Sequence, residues 1–92
     1  MNGEIILPPI ETFTREENVK DQARKVLEEA AELFVAVTDD HFDRSEAVCE
    51  AMDTIQAICN LLEMMMATDQ EIEISYEDVF YKNKARGYYN GS

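Results

Sequence analysis

The chain has 92 residues, enough for one small domain with little room for a self-sufficient core. Apolar residues make up 46%, which argues against disorder even though 30% are charged. Twenty acidic against eight basic residues give a net charge of −12, which excludes a polymeric nucleic acid held by its phosphates; a small phosphorylated ligand remains compatible if divalent cations stand between the two sets of negative charge.

Residues 1–13 read as an extended N-terminal arm, because Pro8 and Pro9 forbid a helix there. Ile5, Ile6, Leu7 and Ile10 make it apolar, so it is expected to pack on the helices or on a second subunit. Residues 14–92 form one helical domain. Thr14 and Glu17 stand in the T-x-x-E pattern of a capping box, which predicts a first helix from Arg15 to about Thr38. Its apolar stripe is Val19, Ala23, Val26, Leu27, Ala30, Leu33, Phe34 and Val37, with Lys25, Glu29, Glu32 and Ala36 beside it.

A polar loop over residues 39–45 ends in an N-cap at Asp43 or Ser45. The central helix, from Glu46 to Ala67, has two faces. Val48, Ala51, Met52, Ile55, Ile58, Cys59, Leu62 and Met66 gather on one, which reads as core. Glu50, Asp53, Ala57, Asn60 and Met64 gather on the other, which reads as the wall of a polar site. Thr68 to Ile74 is polar and ambiguous. Ser75 and Asp78 form another cap signature, opening a helix that ends at Gly87, and a tyrosine-containing tail follows.

Some residues call for no special chemistry. Cys49 and Cys59 lack zinc-site spacing and read as free thiols. No apolar run reaches the ~18 residues of a membrane span, and no signal peptide is recognised, so a reduced, cytoplasmic setting without membrane contact is expected. His41 has no second His or Cys at ligand spacing and reads as solvated. Met64, Met65 and Met66 read as core or subunit interface.

The chemistry lies in the acids. Glu28, Glu29 and Glu32 form E-E-x-x-E on the first helix, and Glu50 and Asp53 form E-x-x-D on the second. The short connecting loop makes the two helices antiparallel neighbours, so that Glu29 and Glu32 face Glu50 and Asp53. Four carboxylates alone in that groove would repel one another. A hard divalent cation resolves the repulsion, and Mg²⁺ also keeps positions for water and phosphate oxygens. A carboxylate-bridged di-iron bundle would need Glu-x-x-His motifs, and this chain carries no helical His.

This pattern, with Asn60 beyond Asp53, resembles the EExxE…ExxD signature of the MazG-like all-α nucleoside triphosphate pyrophosphohydrolases over about Lys25 to Arg86. The resemblance implies Mg²⁺-dependent cleavage (Mn²⁺ as substitute) between the α- and β-phosphates of a nucleoside or deoxynucleoside triphosphate. It implies Glu29, Glu32, Glu50 and Asp53 as metal ligands, with Glu28 binding a further ion or orienting the attacking water. Asn60 would contact sugar, base or phosphate. Lys82, Asn83 and Arg86 would reach the triphosphate, and Lys25 is either a phosphate contact or an i,i+4 partner of Glu29. The expected fold is an all-α antiparallel bundle completed by homodimerisation, or a homotetramer built as a dimer of dimers, because the apolar stripes are too wide for one subunit to cover. The alternative is a non-catalytic helical interaction or nucleotide-binding module that uses the same acidic face.

Overall fold

A computed structural model describes residues 3–89; the end of the predicted tail, residues 90–92, lies outside them. Three α-helices and no strand occur among the described residues: α1 (Val19–Thr38), α2 (Arg44–Met64) and α3 (Asp69–Ala85). The fold class is therefore all-α, as the periodicity indicates. The chain divides into two compact units, one spanning Ile10–Met66 and the other formed by the two ends of the chain.

In the first unit α1 packs against α2. Gln22 meets Ala57, while Glu29 and Glu32 meet Glu50, so contacts step backward along α2 as they advance along α1. The two helices are thus antiparallel. Small residues permit the close approach: Ala47 and Ala57 are the buried apolar side chains, alongside the buried amides of Gln22 and Asn60. On α1 the inward positions are Gln22, Val26, Glu29, Leu33 and Ala36, all buried or half-buried and all on one face at helical spacing.

The polar face of α2 meets α1, while the α2 stripe read as core is half-buried at Ala51, Met52, Ile55, Cys59 and Leu62. The α1 stripe divides, with Val26 and Leu33 turned inward and its other members exposed. Leu27 and Phe34 are 70% and 68% exposed, and Val37, Val48 and Ile58 are exposed as well. The seam thus mixes polar Gln22, Glu29, Glu50 and Asn60 with apolar Val26, Leu33, Ala47 and Ala57, while several large apolar side chains remain on the outside.

Two helix starts also differ from expectation. α1 begins at Val19, where Asn18 Oδ1 accepts the Asp21 N–H at 2.9 Å. Asn is as strong an N-cap as any residue, and the chain before it is tied elsewhere. Glu11 C=O accepts from Gln56 Nε2 at 2.9 Å, and Phe13 N–H donates to Asn60 Oδ1 at 3.1 Å. With its backbone held against α2, this segment does not continue into the helix, and the T-x-x-E at Thr14 goes unused. α2 is capped by Asp43, whose carboxylate accepts the Ser45 N–H at 2.9 Å.

α3, in the second unit, starts at Asp69 rather than after Ser75. Thr68 and Glu71 close a reciprocal capping box: the hydroxyl accepts the Glu71 N–H at 3.1 Å, and the carboxylate accepts the Thr68 N–H at 3.0 Å. The ambiguous 68–74 segment is therefore a helical start. The helix ends at Ala85 with Arg86 as its cap, and Gly87 just beyond takes a φ of +78°, which suits a residue without a Cβ. Beyond the arm's prolines nothing covers Ile5 and Ile6, which are exposed.

α2 ends less comfortably. Met66, beyond the cap residue Met65, takes a φ of +60° with its side chain 81% exposed. The left-handed conformation costs an L-residue roughly 1–2 kcal/mol, partly offset by the ~0.5–1 kcal/mol of extra backbone entropy that glycine would lose. Met66→Gly should therefore stabilise the fold by somewhat under ~1 kcal/mol, visible in a thermal melt as an upward shift of a few degrees.

Candidate functional site

The acids meet in the seam between α1 and α2. Carboxylate oxygens of Glu29, Glu32 and Glu50 all lie within 4.8 Å of one another. Asp53 is outside this triad; it is exposed and shares a neighbouring cavity with Glu28 and Glu29. The triad is held by helix geometry alone: Glu29 and Glu32 sit one turn apart on α1, and Glu50 comes from the facing turn of α2.

Its electrostatics are unfinished. Glu29 is largely enclosed, with 12% of its side chain exposed, and Oε1 meets Lys25 Nζ at 3.0 Å. The i,i+4 ion pair expected of Lys25 is therefore present. The hydrogen bond to Glu29, and then its charge, hold the Lys25 ammonium above its ordinary pKa. Glu29 Oε2 and Glu50 Oε2 are buried without a hydrogen-bond partner. Burial, followed by the charges of Glu32, Asp53, Glu29 and Glu46, pushes the Glu50 carboxyl above the usual carboxylate range. Two orphaned carboxylate oxygens beside a third acid form a donor set suited to a hard cation.

No family model, curated protein or solved structure matches this chain.

Two cavities flank the acids, both within the first unit. One, of about 560 Å³, opens toward the α1–α2 loop and is lined by Glu32, Asp39, His41, Asp43, Glu46 and Glu50 among others. His41 is exposed there, and its backbone N–H donates to Asp39 Oδ1 at 2.7 Å. The acids of this cavity stand beside Ala31, Val35 and Ala36 with no Lys or Arg among the lining residues, so this side disfavours a phosphate. The other cavity, of about 420 Å³, is mixed in character. Glu16, Glu28, Glu29 and Asp53 supply its acids, Arg15 and Lys25 bring positive charge, and Phe13, Gln22, Gln56, Ala57 and Asn60 complete the wall.

Asn60, expected at the site, is therefore at the second cavity and only 4% exposed. Gln22 was not anticipated. Its signal was present, since it lies two helical turns before Glu29 and on the same face. Lys82, Asn83 and Arg86 occupy the last turn of α3 and its cap, where Lys82 and Arg86 are exposed and Asn83 is half-buried. The Lys82 carbonyl accepts the Arg86 N–H at 3.2 Å, and the Asn83 carbonyl accepts the Tyr88 N–H at 3.1 Å.

Proposed function

We propose that the chain is a Mg²⁺-dependent nucleoside triphosphate pyrophosphohydrolase similar to the MazG-like enzymes, acting on the α–β phosphate bond. The observation that carries this reading is the acid triad, half-buried at Glu29 and Glu50 and exposed at Glu32, with two orphaned carboxylate oxygens. A solvated acidic face has no reason to turn such oxygens inward, away from water.

The residues fit the metal. Glu29, Glu32 and Glu50 would hold it, with Asp53 and Glu28 as outer or additional ligands. When bound, Mg²⁺ supplies Lewis-acid polarisation of the phosphoryl oxygens and a water of lowered pKa. The chain's own groups do the rest. Arg15 and Lys25 in the second cavity favour approach of the triphosphate from that side over the first, which offers acids and no Lys or Arg. Lys25, already beside Glu29, and Arg15 offset phosphate charge at the cavity wall. Lys82, Asn83 and Arg86 enter this reading from the resemblance alone. The uncovered stripes of α1 and α2 support a homodimer, or a homotetramer built from it.

The test is pyrophosphate release from a panel of nucleoside and deoxynucleoside triphosphates, with and without Mg²⁺. Turnover should require the metal. Glu32→Gln and Asp53→Asn should each lower kcat/KM by more than the ~10–100-fold that loss of an outer-shell partner costs a metal site. If no triphosphate is cut and Mg²⁺ leaves the melting temperature unchanged, the acids bind no cation and the interaction-module reading replaces this one.

A further inference from the structure

The mixed cavity contains two amide side chains whose orientation is fixed without ambiguity. Asn60 Oδ1 accepts the Phe13 backbone N–H at 3.1 Å and Gln56 Nε2 at 3.0 Å. A backbone N–H can only donate, so the oxygen of Asn60 is the atom turned toward it. Gln22 Nε2 donates to the Ala57 carbonyl at 3.0 Å, and a carbonyl can only accept, so that nitrogen is assigned as well. Each residue is more than nine-tenths buried: Gln22 is 3% and Asn60 4% exposed.

The remaining half of each amide is unused. Asn60 Nδ2 and Gln22 Oε1 take no hydrogen-bond partner among the described residues. Neither is among the sealed orphaned atoms, which are Glu29 Oε2 and Glu50 Oε2. Each therefore opens on free space, and the free space both residues line is the mixed cavity. Its wall thus holds one enclosed donor and one enclosed acceptor, with an aromatic ring at Phe13 and carboxylates at Glu29 and Asp53.

We infer that this cavity is a nucleobase subsite, in which Asn60 Nδ2 and Gln22 Oε1 bind the adjacent acceptor and donor on the hydrogen-bonding edge of the base. The ligand class rests on the triphosphate-cleaving reading. The placement of the two amides does not. Water satisfies such groups poorly in an enclosed wall, and a flat heterocycle presenting an acceptor beside a donor satisfies both at once. Phe13 offers a face or edge to the ring, and its own backbone N–H is what orients Asn60. The base would then lie on the α1–α2 interface, with the phosphates extending toward Glu29 and Asp53.

The experiment is side-chain amide NMR on the protein in saturating Mg²⁺, titrated with the common nucleoside 5′-monophosphates and with ribose 5-phosphate as the control without a base. At least one nucleotide should shift the Asn60 and Gln22 NH₂ resonances, and ribose 5-phosphate should leave them in place. Asn60→Asp keeps the acceptor for Phe13 but exchanges the free donor for an acceptor. It should change the ranking of the bases by roughly 10–100-fold, as loss of one or two hydrogen bonds to a base edge does. The inference is overturned if no nucleotide moves these resonances, or if ribose 5-phosphate moves them equally. It is also overturned if a folded Asn60→Asp binds every nucleotide more weakly with the ranking unchanged, since the amides would then only strap residues 11–13 to α2. Nucleotide-induced shifts without pyrophosphate release would keep the subsite and remove the hydrolase reading. Metal-dependent turnover without shifts would do the reverse.

Discussion

Glu50→Gln should stabilise the metal-free protein at neutral pH while abolishing its response to Mg²⁺. Burial and four neighbouring acids hold the Glu50 carboxyl above its ordinary range, so the folded chain binds that proton more tightly than the unfolded chain. A raised acid pKa has a definite sign. Stability falls as pH rises from the unfolded glutamate value, ~4.3, to the raised folded value, and the full penalty persists above it. Glutamine keeps the shape, removes the charge and so removes the penalty. The melting temperature of the metal-free variant should therefore exceed that of the wild type at pH 7, and the difference should vanish at a pH below both values. Saturating Mg²⁺ should raise the wild-type melting temperature in proportion to its excess over Kd, and leave that of the variant unchanged. Pyrophosphate release should fall further than for loss of an outer-shell group, because Glu50 contributes one of the two orphaned oxygens. The same linkage makes metal affinity fall with acid, since protons and Mg²⁺ compete for Glu50. A variant destabilised at pH 7 would mean that Glu50 is held by favourable contacts, and the acid triad would lose its claim to a cation.

This opposition of stability and site was partly legible in the sequence. Spacing on a helix shows which residues share a face, and it correctly grouped Glu50 with Asn60 and Glu29 with Ala36. It does not show what each face meets. On α1, Leu27 and Phe34 of the apolar stripe are exposed while Val26 and Leu33 of the same stripe share the inward face with Gln22 and Glu29. Caps failed in a similar way. T-x-x-E occurs at Thr14 and at Thr68, and only the second is used, because hydrogen bonds from Gln56 and to Asn60 hold residues 11–13 against α2. Those bonds span more than forty positions of the chain, beyond any local pattern. Gln22 escaped notice for the same reason: its role depends on the carbonyl of Ala57 across the seam.

The outward stripe carries the other large expected effect. Leu27→Glu combined with Phe34→Glu should convert a homodimer to monomer. Both side chains are about 70% exposed in the single chain, so a protein that worked alone would tolerate the change within about 0.5 kcal/mol. A twofold interface uses each position twice, and fully burying one such side chain is worth ~1.5–3 kcal/mol. Losing four of them, and placing like charges in opposition on a chain already at −12, weakens the dimer by well over the hundredfold that ~2.8 kcal/mol represents. Analytical ultracentrifugation at micromolar concentration reads the change directly. The wild-type melting temperature should rise with protein concentration and that of the variant should not. A wild type that sediments as a monomer, with the variant equally stable, would exclude the dimer. Glu29, Glu32 and Glu50 all come from α1 and α2 of one chain, and neither substituted residue is among them. The monomeric variant should therefore still be stabilised by Mg²⁺, so that the two proposals, an oligomer built on the exposed apolar side chains and a cation held by the acids of the seam, are tested separately.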